Sequence, residues 1–218
     1  MIVVGLGSAG CNIAQAFSKF PQYDTCGIDA RKEADITIKK RESHEEYDQH
    51  FPNLKRKLKF ASNEEVLVVV CGAGNISGAA LQLLEQLKAY RTTVLYIQPD
   101  LDLATATQRV QERVVRNVLQ EYARSGAVEA VWLIDNCALE RSIGEVSILG
   151  YYKTLNQAIV NIVHMINVFR HSEAVIGTFV EPSPLSRVAT IGVVDMDAEE
   201  NEEKWFYDLT GVTEVVYY

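Results

Sequence analysis

Clustered positive charge is what this sequence has least of. Lys and Arg total 21 against 29 Asp and Glu, for a net charge of −8. The densest basic run, Lys55-Arg56-Lys57 with Lys59, is short. A surface that grips nucleic-acid phosphates needs more clustered Lys and Arg than this, so the run reads as a solvated face and no nucleic-acid partner is expected. Also missing is any apolar stretch near the roughly 20 residues that span a bilayer, which leaves no expectation of a membrane partner. The chain opens directly on Ile2-Val3-Val4 and meets Gly5, without the charged start and longer apolar run of a signal peptide. Cysteine is sparse, and Cys11, Cys26, Cys71 and Cys137 form no CxxC pair. Inside core-like segments they read as reduced, buried thiols of a cytoplasmic protein. His44, His50, His164 and His171 have no partners at metal-ligand spacing, so no metal site held by Cys or His is expected. Internal repeats and low-complexity tracts are absent too.

What is present is core material: 48% of the 218 residues are hydrophobic, enough for one domain with a small appendage. Short apolar runs at 2–4, 25–29, 66–71, 93–97 and 128–134 alternate with helical periodicity at 11–20, 79–90 and 104–124. The run 66–71 is apolar throughout, as in a strand buried on both faces. Residues 31–63 are polar and irregular, with a short helix expected near 53–60. This alternation predicts an α/β fold with a Rossmann-like, mostly parallel sheet flanked by helices. Tyr152, Leu155, Ile159, Ile162, Val163, Ile166 and Phe169 then share one face of a long helix over 151–169. Beyond it lie Pro182, Pro184, a β run at 188–194, an acidic stretch at 199–203 and a last β run at 212–218. This tail is too short for a full second domain.

Two glycine loops carry the chemistry. Gly5-Leu6-Gly7-Ser8-Ala9-Gly10 joins a strand to a helix, where glycines let backbone N–H groups approach a phosphate and the helix N-terminus adds partial positive charge. With Asp29 at the end of the next strand, this loop alone points to an NAD(P)-binding oxidoreductase, whose acid bonds a ribose hydroxyl. Gly72-Ala73-Gly74-Asn75-Ile76-Ser77-Gly78 repeats the strand–loop–helix device. Two such loops can hold a polyphosphate from both sides, which a dinucleotide does not require.

The second loop resembles the GGGTG(S/T)G signature of the tubulin/FtsZ superfamily, with Ala73, Asn75 and Ile76 in place of a glycine, the threonine and the glycine nearest phosphate. Ile134-Asp135-Asn136-Cys137-Ala138-Leu139 is similar to the family's IDNxAL segment, and Tyr152-Lys153-Thr154-Leu155-Asn156 to its YxxLN segment. The resemblance covers residues 1–170 and implies a GTP- or GDP-binding domain that includes the long helix. Residues 171–218 are then a reduced, β-rich C-terminal segment. By the same resemblance Asn136 and Asn156 contact guanine and the Tyr152 ring stacks on it. Gly7, Ser8, Ala9, Gly10 and Asn12 meet phosphate, Asp29 and Arg31 lie near the terminal phosphate and Mg2+, and Pro99 falls in the ribose segment. Amide side chains both donate and accept, which suits the edge of guanine.

The family's hydrolytic NxDxxD-like loop after the central helix is missing. Glu173 and Glu181 are the nearby carboxylates and the candidate catalytic groups, acting on the nucleotide of the next copy in a head-to-tail assembly. The resemblance therefore implies a guanine-nucleotide-binding protein, a GTPase that self-assembles into filaments or a non-hydrolysing structural module. Its departures fit a divergent member of the phage- or plasmid-borne kind.

Overall fold

The computed structural model describes residues 1–61, 64–144, 147, 149–173, 182–195 and 202–218. Strand β1 (Ile2–Leu6) leads into helix α1 (Gly7–Phe17), then β2 (Asp24–Asp29), β3 (Ile36–Thr37) and α2 (His44–Gln49). Strand β4 (Glu65–Cys71) is followed by a 3-10 turn (Asn75–Ala79) that runs into α3 (Ala80–Leu87). Next come β5 (Arg91–Gln98), α4 (Ala106–Arg124), β6 (Ala130–Asp135), α5 (Asn136–Ile143) and the long α6 (Tyr151–Arg170). The chain closes with β7 (Val188–Thr190), β8 (Gly192–Asp195) and β9 (Glu202–Trp205). Seven strands form one parallel sheet in the order β3-β2-β1-β4-β5-β6-β7, and β8 pairs antiparallel with β9. The expected Rossmann-like parallel sheet is thus present.

Strand β4 shows why the molecule has three layers. Its side chains alternate across the sheet, so Val66, Val68 and Val70 pack with Leu83, Leu87 and Leu119 of α3 and α4. Leu67 and Val69 meet Ile13, Phe17, Ile159 and Val163 of α1 and α6 on the other face. Helix α4 starts on a capping box, Thr105 with Gln108. It buries Glu112, whose carboxylate accepts from Tyr96 Oη at 3.1 Å and Arg116 Nε at 2.8 Å. A charge in that position needs both partners.

Helices α1 and α6 lie side by side. Lys19 Nζ donates to Asn161 Oδ1 at 2.7 Å, the Phe20 and His164 rings stack at 3.6 Å, and Asn167 Nδ2 donates to Tyr23 Oη at 3.3 Å. Lys19, Phe20 and Tyr23 continue directly from the end of α1, which itself packs on α6, and their pairings advance toward the C-terminus of α6, so the two helices run in the same direction. Their N-termini therefore share one end of the sheet, the end where the strands finish.

Some expectations change. The helix expected at 53–60 is a single turn, because its backbone bonds outward: Leu54 N donates to Gln86 Oε1 and Phe60 N to Tyr90 Oη at 2.9 Å. The polar stretch instead forms α2, capped by Ser43, whose Oγ accepts from Glu46 N at 3.2 Å. The β run at 188–194 divides at Ile191 between two sheets. The last run, 212–218, pairs with no strand among the described residues. It is held by side chains, with Glu214 accepting from Ser183 N at 2.9 Å and Ser186 Oγ at 3.2 Å. The cysteines are free thiols, half-buried rather than buried.

Helix α1 lies close on the sheet: a Cβ on Gly10 would sit 2.6 Å from the Val69 carbonyl oxygen. Gly10→Ala is predicted to lower the unfolding free energy by about 1–3 kcal/mol, measured by urea denaturation. An unchanged midpoint would show that α1 can move away freely.

Candidate functional site

The strand order reverses between β1 and β4, which pair directly. In open parallel sheets the crevice outside the strand ends at such a switch point is where ligands bind. Both glycine loops open there. A Cβ on Gly5 would fall 2.2 Å from the Gly10 carbonyl oxygen, and Gly7 has φ +74°, so each of these positions needs glycine. Helix α1 begins at Gly7 with no side-chain cap. The first-turn N–H groups of Gly7, Ser8 and Ala9 are left without intrahelical partners, at the positive end of the helix dipole. Ser8 and Asn12 are exposed, and Ala9 is half-buried.

Asp29, at the end of β2, is buried and fully engaged. It accepts from Ser8 Oγ at 2.9 Å, from Ala30 N at 2.7 Å and from Arg31 Nε. Its bond to Arg31 pushes the guanidinium pKa up, and Arg31 Nη2 reaches the Ser8 carbonyl at 3.4 Å. Asp29 thus fastens a cation to the rim of the first loop.

The second loop turns its polar side chains inward. Ser77 is buried, with Oγ 3.1 Å from the Gly72 carbonyl and 2.7 Å from that of Gly74. Asn75 Nδ2 donates to the Glu42 carbonyl at 2.7 Å, and Asn75 Oδ1 accepts from Gln111 Nε2 at 3.4 Å. A Cβ on Gly72 would overlap Tyr96, and one on Gly78 would fall 2.1 Å from the His44 carbonyl oxygen. Ala73 is half-buried and Gly74 exposed. Ile76 leans across to the first loop.

The strand ends on the other side of the switch point carry the remaining residues. Pro99 follows β5, and Asn136 opens α5, both half-buried. Asp135 caps α5 by accepting from Cys137 N at 3.0 Å, and burial raises its pKa. Burial, then the nearby Asp135 and Asp100 carboxylates, lifts the Cys137 thiol to about 11. Tyr151 Oη donates to Glu140 Oε2 at 2.7 Å and ties α6 to α5. Tyr152 beside it is 66% exposed, its ring edge-on to Tyr151 at 5.1 Å. Asn156, half-buried, follows one turn later on the same face. Neither Asn136 nor Asn156 spends its amide on a side-chain hydrogen bond among the described residues.

Glu173 lies elsewhere. Helix α6 has 20 residues, about 30 Å of length. Its far end sits by the start of β4, where His171 Nε2 is 3.0 Å from Glu65 Oε2. Glu173 is therefore at the opposite end of the sheet from the glycine loops. Glu181 falls outside the described residues. Sequence reasoning missed Glu42 and Gln111, the partners of Asn75, since nothing local marks either one. It also missed the Asp135 cap, although an aspartate just before a helix is a readable signal.

No family model and no curated protein matches the chain. Solved structures do. A GTPγS-form protofilament of TubZ from Bacillus thuringiensis serovar israelensis superposes with a TM-score of 0.66 at 16% identity, over 81% of this chain and 57% of that one. A GTPγS-bound protofilament of CetZ2 from Haloferax volcanii gives 0.61 at 23% identity, over 76% and 57%. An empty FtsZ dimer from M. jannaschii gives 0.62 at 14% identity, over 81% and 56%. The chain has a tubulin/FtsZ-like fold and spans a little over half the length of these structures. Among the described residues no helix is long and apolar enough to cross a membrane.

With its pKa near 11, Cys137 holds almost no thiolate at pH 8. Its alkylation by iodoacetamide in the native protein is predicted to run about a hundredfold slower than that of a free thiol and to keep accelerating past pH 10. Peptide mapping that finds rapid labelling of Cys137 at pH 8 would contradict the burial described.

Proposed function

We propose that this chain binds a guanine nucleotide, GDP or GTP, at the carboxyl edge of its parallel sheet. One observation carries the reading. An uncapped, glycine-flanked helix N-terminus shares that edge with two uncommitted asparagine amides and an exposed phenol ring. The amides of the first turn of α1, with Arg31 at the rim, would hold phosphate. Tyr152 would stack on the base, and Asn136 and Asn156 would pair with the N1/N2 donors and the O6 acceptor of guanine. Pro99 would border the ribose, and Gly72 to Gly78 would face the phosphates chiefly through backbone. The TubZ and CetZ2 structures of this fold hold GTPγS, which agrees in kind. The NAD(P) reading is weaker because Asp29, the acid it needs for a ribose, is spent on Ser8, Ala30 and Arg31.

The same saturation makes Asp29 a poor Mg2+ ligand, since a guanidinium already occupies it. Among the described residues no group of three His, Cys, Asp or Glu could hold a metal. Mg2+ would accompany the nucleotide on its phosphates.

Head-to-tail self-association is the second part of the proposal. TubZ and CetZ2 form protofilaments in their structures, and stacking copies along the sheet axis would bring the Glu173 end of one to the nucleotide end of the next. Glu173 cannot serve its own site from about 30 Å away, so a GTPase would need assembly. The inward-turned Asn75 and Ser77 favour the alternative, a binding module without turnover.

Calorimetric titration tests the binding claim. Stacking on an aromatic ring is worth roughly 1–3 kcal/mol per base, so Tyr152→Ala is expected to raise the GDP Kd about 5- to 150-fold. Asn156→Ala should raise it at least tenfold and shrink the preference for GDP over ADP. NAD binding more tightly than GDP, or an unchanged Kd in both variants, would overturn the reading.

A further inference from the structure

We propose that Ile76 makes this a site for nucleoside diphosphates in preference to triphosphates. The inference rests on the guanine-nucleotide reading and adds a selectivity to it. A third phosphate, to be gripped by both glycine loops, must enter the gap between them. That gap holds a methyl group. Ile76 Cγ2 stands 2.5 Å from where a Cβ on Gly7 would be and 3.8 Å from where one on Gly74 would be. It therefore lies between the two glycines that would otherwise be free to approach a phosphate.

The plug is a stiff one. Isoleucine is branched at Cβ, and two of the three staggered positions around its Cα–Cβ bond carry carbon. Rotation about χ1 can empty the gap in one well only. The backbone under it is also fixed: Ile76 sits in the 3-10 turn, flanked by Asn75 bonded to Glu42 and Gln111 and by Ser77 bonded to Gly72 and Gly74. These bonds also remove the two side chains of the loop that could have bonded a phosphate oxygen. Charge placement agrees with the same division. Arg31, with Asp29 behind it, stands by Ser8 on the first loop, so the first loop alone has helix amides and a guanidinium for a diphosphate. An apolar methyl facing a third phosphate desolvates charge without returning a hydrogen bond.

The test is calorimetric titration of the full chain with GDP and with GTPγS, each with Mg2+. It compares the natural protein with Ile76→Ala, which keeps Cβ and removes Cγ2, and with Ile76→Gly. Thermal melts of all three proteins identify any variant that is misfolded. The natural protein is expected to bind GDP at least tenfold more tightly than GTPγS. Ile76→Ala should tighten GTPγS about tenfold or more while moving GDP less than about threefold. GTPγS binding as tightly as GDP to the natural protein, or a ratio untouched in a folded variant, overturns the inference and leaves the guanine-nucleotide reading standing. If the natural protein binds neither nucleotide but Ile76→Ala binds GTPγS, the diphosphate preference is overturned while the guanine-nucleotide reading stands for the unplugged site. If no folded form binds either, the guanine-nucleotide reading falls and the selectivity falls with it.

Discussion

The distance between helix α1 and the two strands beneath it governs everything at the carboxyl edge. The backbone of α1 rests on β1 and β4 so closely that a Cβ on Gly5 would strike the Gly10 carbonyl and one on Gly10 the Val69 carbonyl. Only glycine permits that contact. It brings the positive end of the helix dipole down to the switch point, beside the loop that follows β4. Asp29 completes the arrangement from β2 by fixing Ser8 and Arg31 in one clasp. Were α1 lifted by the thickness of a methyl group, the two glycine loops would no longer face one another.

The second organising feature is the common direction of α1 and α6. The segment leaving α1 keeps them in step through Lys19–Asn161, Phe20–His164 and Tyr23–Asn167, with Ile13, Phe17, Ile159 and Val163 filling the layer between helices and sheet. Tyr152 and Asn156 thereby open the same edge as Gly7, while Glu173 is carried to the other end. One long helix thus separates the proposed nucleotide edge from the end that carries Glu173, the polarity that the proposed head-to-tail assembly would use.

Much of the scaffold was legible because strand β4 is apolar throughout and the helices beside it keep their 3.6-residue periodicity. The glycines of the first loop were legible for the same kind of reason, since their role is local. Helix α2 was not, because residues 44–49 carry hardly any apolar pattern and announce themselves only through the Ser43 cap and Glu46, whose carboxylate returns to Glu42 N at 3.1 Å. The expected helix at 53–60 failed since its backbone groups bond to Gln86 and Tyr90, a tertiary fact invisible in a window of sequence. The second loop divides in the same way. That Ile76 replaces a glycine can be read directly, but that Asn75 is held by Glu42 and Gln111 cannot.

The central claim is that Asn136, Asn156 and the first turn of α1 hold one guanine nucleotide. Side-chain and backbone amide NMR of the 15N-labelled protein on addition of GDP tests it most directly. The NH2 resonances of Asn136 and Asn156 and the backbone amides of Gly7, Ser8 and Ala9 should shift together along a single binding curve, with those of Asn75 nearly still. Shifts confined to the first loop, with Asn136 and Asn156 unmoved, would contradict guanine recognition at this edge.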